Sequence, residues 1–182
     1  MKREFVPERL NIPDFAQAEA ALSGEDALAR FERLAAEAVD SIDGHQVAWE
    51  AVGEQRHDAG GRAEAWMHLR ADTTIPLTCQ RCLTPVETPL EVDRWFRFAA
   101  SEEAAAALDE ELEDDVLVSA RDFDLLSLVE DELLMDLPIT PRHDVCPQEL
   151  PLSSQDADFD TADKEKANPF AALSKLRDDK SR

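Results

Sequence analysis

In Ala65-Trp66-Met67-His68-Leu69-Arg70-Ala71, the residues Ala65, Met67, Leu69 and Ala71 share one parity. Trp66, His68 and Arg70 hold the other. That two-residue period belongs to a half-buried strand, since a helix repeats its apolar positions every three to four residues. The pattern runs on through Thr73-Thr74-Ile75-Pro76-Leu77 to Cys79 and returns in Leu90-Glu91-Val92-Asp93-Arg94-Trp95-Phe96-Arg97-Phe98. Upstream, Val47, Trp49 and Val52 begin a strand that ends at the turn signal Ala59-Gly60-Gly61. Residues 45–100 are therefore expected to form an antiparallel meander, the simplest way to join consecutive strands through short turns. Trp49, Trp66 and Trp95 all fall here. Without a basic groove beside them, they suit the sheet faces better than a base-stacking platform.

Moving outward, helical spacing appears on both sides. Residues 14–40 place Ala16, Ala20, Leu22, Ala27, Leu28, Phe31, Leu34, Ala35 and Val39 at roughly helical intervals. Ser23-Gly24 reads as the break between two helices, with Ser23 as the cap of the second. Beyond the strands, residues 101–121 open on a run rich in acid and read as a flexible loop. Eight acids and no base occupy 102–115. The segment 124–137 is an amphipathic helix: Leu126, Val129, Leu133 and Leu137 step by three, four and four, Asp122 or Asp124 caps the start, and Pro138 ends it. The expected fold is α+β, one domain over 1–150 followed by a flexible polar tail over 151–182. Within the tail, 168–176 carries Phe170, Leu173 and Leu176 three apart, the spacing of a short docking helix or of a segment folding back on the sheet.

Charge narrows the function. Of 182 residues, 41 are acidic and 19 basic, a formal net charge of −22. Between 101 and 136, fourteen acids face the single base Arg121. Such a body repels a phosphate backbone and attracts a basic protein. Glu130, Asp131 and Glu132, on the polar side of the 124–137 helix, are candidate partner contacts, as are Phe170, Leu173 and Leu176. Two other readings remain open: a metal-dependent nuclease built on the acids of 102–115, and direct RNA binding through Lys164, Lys166, Lys175, Arg177, Lys180 and Arg182. No apolar run approaches a membrane span, and Met1-Lys2-Arg3-Glu4-Phe5-Val6-Pro7 lacks the apolar stretch of a secretory signal, so the expected compartment is the cytosol.

The three cysteines point the same way, being an odd number with two in a Cys-x-x-Cys pair, which does not suit a secreted disulfide framework. Cys79-x-x-Cys82 and His143-x-x-Cys146 are two half-sites with ligand-type spacing, together a Cys₃His donor set for a closed structural zinc site. The alternative is a set of ordinary thiols and an ordinary imidazole. No phosphate-binding glycine loop, nucleophile elbow or zinc-protease helix motif is present, and no enzyme activity is expected.

Four segments in order carry a resemblance: Cys79-Gln80-Arg81-Cys82-Leu83; Asp124 to Leu137 with Val129-Glu130-Asp131-Glu132-Leu133; Leu137-Pro138-Ile139-Thr140-Pro141-Arg142-His143; and Asn168-Pro169-Phe170. Together they resemble the YceD family of large ribosomal RNA subunit accumulation proteins. The resemblance implies a role in synthesis, processing or stability of 23S rRNA, without established catalysis. It also implies a ribosomal protein or pre-ribosomal large subunit as partner, and the net charge adds the expectation that RNA contact is indirect.

Overall fold

Strand alternation becomes a sheet with one apolar face. The computed structural model describes residues 4–58, 60–109 and 115–148. The chain divides into two compact units, Met1–Cys146 and Pro147–Arg182. Only Pro147 and Gln148 of the second are described, so the docking segment 168–176 and the basic residues of the tail lie outside the described residues. In the first unit, β2 (Gln46–His57), β3 (Ala63–Thr78) and β4 (Pro85–Ala99) pair antiparallel in sequence order. Across the three strands, Gly53, Met67 and Phe96 share a row, as do Trp49, Ala71 and Val92. These rows and the fully buried Leu69, Ile75 and Leu90 form the core face.

One layer of helix covers that face. α4 (Leu125–Met135) packs on β3 and β4, and α1 (Ile12–Gln17) on β2 and β3. Asp124 caps α4 by accepting a hydrogen bond from the Ser127 N–H at 3.0 Å. Leu126, Val129 and Leu133 are buried as their spacing requires, and Leu137 packs against the same core. Burying a leucine-sized side chain contributes about 1.5–3 kcal/mol. With Leu125, Leu126, Leu128, Val129 and Leu133 all inside, α4 can also carry two carboxylates under the surface.

Two expectations need correction. Residues 14–40 do not form two long helices. After α1 the chain enters β1 (Ala21–Ala27), an edge strand antiparallel to β2, then a 3-10 turn at Leu28–Arg30 and the short α2 (Glu32–Ala36). Ser23 is a strand residue opposite Glu50, not a helix cap. Pairing with β2 outweighs the helical propensity of an alanine-rich stretch, because tertiary context overrides propensities of a few tenths of a kcal/mol per residue. Nor is 101–121 a loop throughout. α3 (Glu102–Asp109) is followed by β5 (Asp115–Val118), which pairs parallel with Phe96–Ala99 of β4. The acids that argued for repulsion favour the helix where they stand at its positive end, as Glu102 and Glu103 do. The sheet order is β1-β2-β3-β4-β5.

Candidate metal centre

The hairpin between β3 and β4 is closed by a knuckle. The Cys79 N–H donates to the Thr84 carbonyl at 3.0 Å, and the Leu83 N–H to the Cys79 carbonyl at 2.9 Å. This tight turn puts Leu83 at φ +60°, the left-handed conformation glycine adopts most readily. The second arm arrives from the end of α4, where Leu137-Pro138 breaks the helix and sends the chain back past the hairpin. There the Gln80 N–H donates to the Pro141 carbonyl at 2.8 Å, docking the two arms.

The result unites residues sixty apart. The donor atoms of Cys79, Cys82, His143 and Cys146 all lie within 4.8 Å of one another. Zinc–sulfur bonds of about 2.3 Å in a tetrahedron place ligand atoms roughly 3.8 Å apart, so the cluster is close to the size such an ion needs. Cys79 is fully buried, Cys82 and Cys146 are half-buried, and all three are free thiols. Cys82 Sγ stands 3.4 Å from His143 Nδ1 and 3.1 Å from Thr84 Oγ1.

Electrostatics favour ionisation at two of the three sulfurs. Burial opposes a charge on Cys79, but the N–H groups of Cys82, His143 and Arg81 outweigh it and draw the thiol down to about 5. Cys82 is also lowered, first by the Thr84 hydroxyl. Burial, reinforced by Cys82, pushes Cys146 up. The hydrogen bond to Cys79 raises His143. Backbone donors directed at a thiolate are what a metal-binding turn supplies, and the thiolate is the ligating form. The four residues thus form a cluster suited to a metal ion. A thioredoxin-like arrangement is not found, because the Cys79–Cys82 pair opens a hairpin and not a helix. Among the described residues no other group of three or more His, Cys, Asp or Glu side chains has this convergence.

The acids of α4 are placed otherwise than expected. Glu130 is buried and accepts from the Arg33 N–H at 2.7 Å, the Leu34 N–H at 3.2 Å and Arg33 Nε at 2.9 Å. It caps α2 from another element, since Phe31 at the N-cap has no side-chain oxygen to offer. Glu132 is buried 3.3 Å from Arg94. Asp131 alone of the three stays exposed, paired with Arg33 at 2.5 Å. Glu130 therefore ties α4 to α2, and neither it nor the buried Glu132 forms an outward acidic rim.

The face of the sheet opposite the core carries a column that alternation alone did not reveal. His68 stacks on Trp95, with ring centroids 4.4 Å apart and planes 5° apart. The Arg56 guanidinium lies 4.3 Å from the Trp95 ring and 4.2 Å from the Trp66 ring, with Arg97 5.8 Å from Trp66. The sheet's own side chains already occupy the rings a nucleobase would need. The cations are engaged as well: Arg56 with Glu54, Arg70 with Asp93 and Glu50, and Arg97 with Glu64.

The class so defined is an α+β fold whose sheet carries, at the β3–β4 hairpin, a Cys₃His cluster that could hold a metal ion. The profile of a family described as "Large ribosomal RNA subunit accumulation protein YceD" matches residues 67–177, more than half of the chain, and the chain belongs to that family. A Haemophilus influenzae relative of that name is 32% identical over 114 residues, which cover 61% of this chain and 64% of the relative. The chain thus spans less than two thirds of that relative's length. No solved structure matches it. The matched region takes in both knuckle arms and α4, and leaves out β1 and β2. No helix among the described residues is long and apolar enough to cross a membrane.

Proposed function

We propose that this chain supports the accumulation of large-subunit 23S rRNA as a non-enzymatic cytoplasmic assembly factor, and that it does so by binding a basic ribosomal protein or a pre-ribosomal particle. Family membership supplies the process, and the charge carries the mode of action. Among the described residues, exposed carboxylates such as Glu19, Glu25, Glu37, Asp43 and Asp72 have no cationic partner, while most of the described arginines are paired with acids. A field of that sign steers a cationic protein and resists RNA, so RNA contact is indirect. Asp131 and the tail residues Phe170, Leu173 and Leu176 are the proposed contacts that remain from the sequence.

Cys79, Cys82, His143 and Cys146 hold a structural zinc in this proposal. The ion would supply a fourfold covalent-strength tie between the β3–β4 hairpin and the segment after α4. Four protein ligands leave no open position for substrate, which accords with a scaffold.

Affinity purification of the tagged chain from its own cells in low salt tests the reading. Large-subunit ribosomal proteins are expected in the eluate, and depletion of the chain should lower the ratio of 23S to 16S rRNA. An eluate without ribosomal proteins or precursor particles would overturn the proposal. Cleavage of precursor rRNA by the purified chain would overturn it in favour of an enzyme.

A further inference from the structure

At the knuckle end, three large exposed aliphatic side chains stand beside two arginines that have no carboxylate partner among the described residues. Ile139 is 98% exposed, Val145 85% and Leu83 74%. Leu83 and Val145 directly follow or precede the ligand-type residues Cys82 and Cys146, which the fold brings together. Ile139 lies two residues from Pro141, whose carbonyl holds Gln80 of the same turn. The neighbouring Arg81, which donates to the His143 carbonyl at 3.5 Å, and Arg142 have no carboxylate partner among the described residues, whereas Arg30, Arg33, Arg56, Arg70, Arg94 and Arg97 each have one.

Folding alone does not account for this. A solvated leucine at φ +60° strains the backbone where glycine would not. Strain combined with exposed apolar surface marks a position kept for something that arrives later. We infer that this end of the molecule is a protein-docking surface: Leu83, Ile139 and Val145 are its apolar anchor, and Arg81 and Arg142 its hydrogen-bonding rim. The occupant is a protein surface with an apolar pocket edged by carbonyl or carboxylate oxygens. Arginine beside exposed aliphatics matches the composition of protein interfaces, where a few such anchors dominate binding. RNA fits poorly. Neither 79–87 nor 137–146 contains a Phe, Tyr or Trp to stack a base, His143 is turned to the cysteine cluster, and the two arginines line one hollow with Glu87 and Asp144. A second copy would bring another −22 body against the first. The inference rests on the reading of the chain as a protein-binding factor and adds where the anchor lies: the anionic body steers the partner, and the knuckle end seats it.

Site-specific photocrosslinking in living cells tests it, with benzoylphenylalanine replacing Leu83, Val145 or, as a remote control, Asp43. Full-length chain carries each probe, and bound metal per chain is measured to verify the knuckle. Positions 83 and 145 are expected to give adducts with protein, and Arg81→Ala combined with Arg142→Ala should reduce the 145 adduct at least fivefold. Leu83→Gly separates docking from folding, because it relieves the strain while removing the anchor. It should leave thermal stability equal or higher and lower the 145 adduct about tenfold. Adducts with RNA, adducts with a second copy, or none at 83 and 145 would overturn the inference. Ribosomal-protein adducts at 43 alone would sink this surface but keep the proposed function. Adducts at 83 and 145 with non-ribosomal proteins would keep the surface and sink the ribosomal partner.

Discussion

Gly24 faces Trp49 across the β1–β2 pair, and a β-carbon built on it would lie 2.5 Å from the indole ring. The indole is fixed by its N–H bond to Asp26 Oδ2 at 2.8 Å, so it cannot swing away cheaply. Gly24→Ala is therefore expected to lower stability by about 1–3 kcal/mol in urea titration, the usual cost of overpacking. Glu130 offers a second test. Glu130→Ala removes the acceptor from the Arg33 and Leu34 N–H groups, and an expected loss of about 1–3 kcal/mol follows from leaving buried donors unsatisfied. A third concerns pH. Burial raises the Glu132 carboxyl above its ordinary value, only partly offset by Arg94. The folded state then binds the Glu132 proton more tightly than the unfolded chain, so this contribution to stability is present at acid pH and falls as pH rises through the raised value. Glu132→Gln should stabilise the protein at neutral pH and remove that downward slope, as read by thermal melts across pH 4–8 (about the carboxylate range).

At the scale of elements, the knuckle joins the β3–β4 hairpin to the segment after α4, alongside the Gln80–Pro141 hydrogen bond. One zinc per chain is expected by elemental analysis of protein purified without chelator. Cys79→Ser should abolish it and lower the melting temperature. On the opposite face, Arg56→Ala should cost about 1 kcal/mol and red-shift the tryptophan emission as Trp66 and Trp95 lose their shared guanidinium. These elements were legible to different degrees. β3 declared itself because its two faces differ, and Met67 and Leu69 are fully buried while Arg70 is exposed. The four ligand-type residues were readable from spacing, but that they converge depends on a return of the chain after Pro138 that no local pattern encodes. β1 was hidden because Ala21, Leu22 and Ala27 also suit a helix, and Gly24 reads as a break until Trp49 is seen lying on it. β5 was masked by the surrounding acids, though Val116-Leu117-Val118 is a strand-forming run. For α4 the missed signal was present: Glu130 is four residues from Leu126, and Glu132 four from Leu128, so both share sides with buried leucines.

The whole molecule combines a strong field with a small anchoring end. If the field attracts the partner, association should slow by at least tenfold between low and high salt while dissociation changes little, as measured by stopped-flow or surface binding. The topology has one more implication, for how the chain is made. Its ligand-type residues are split between 79–82 and 143–146, with β4, α3, β5 and α4 in between. On a translating ribosome the first pair of thiols must wait through the synthesis of all four elements before their partners exist. A nascent chain stalled short of Cys146 would have its sheet largely assembled and its clasp open. Premature termination in this stretch should therefore yield products that capture no metal and are cleared by proteases, even though most of the core has already been translated.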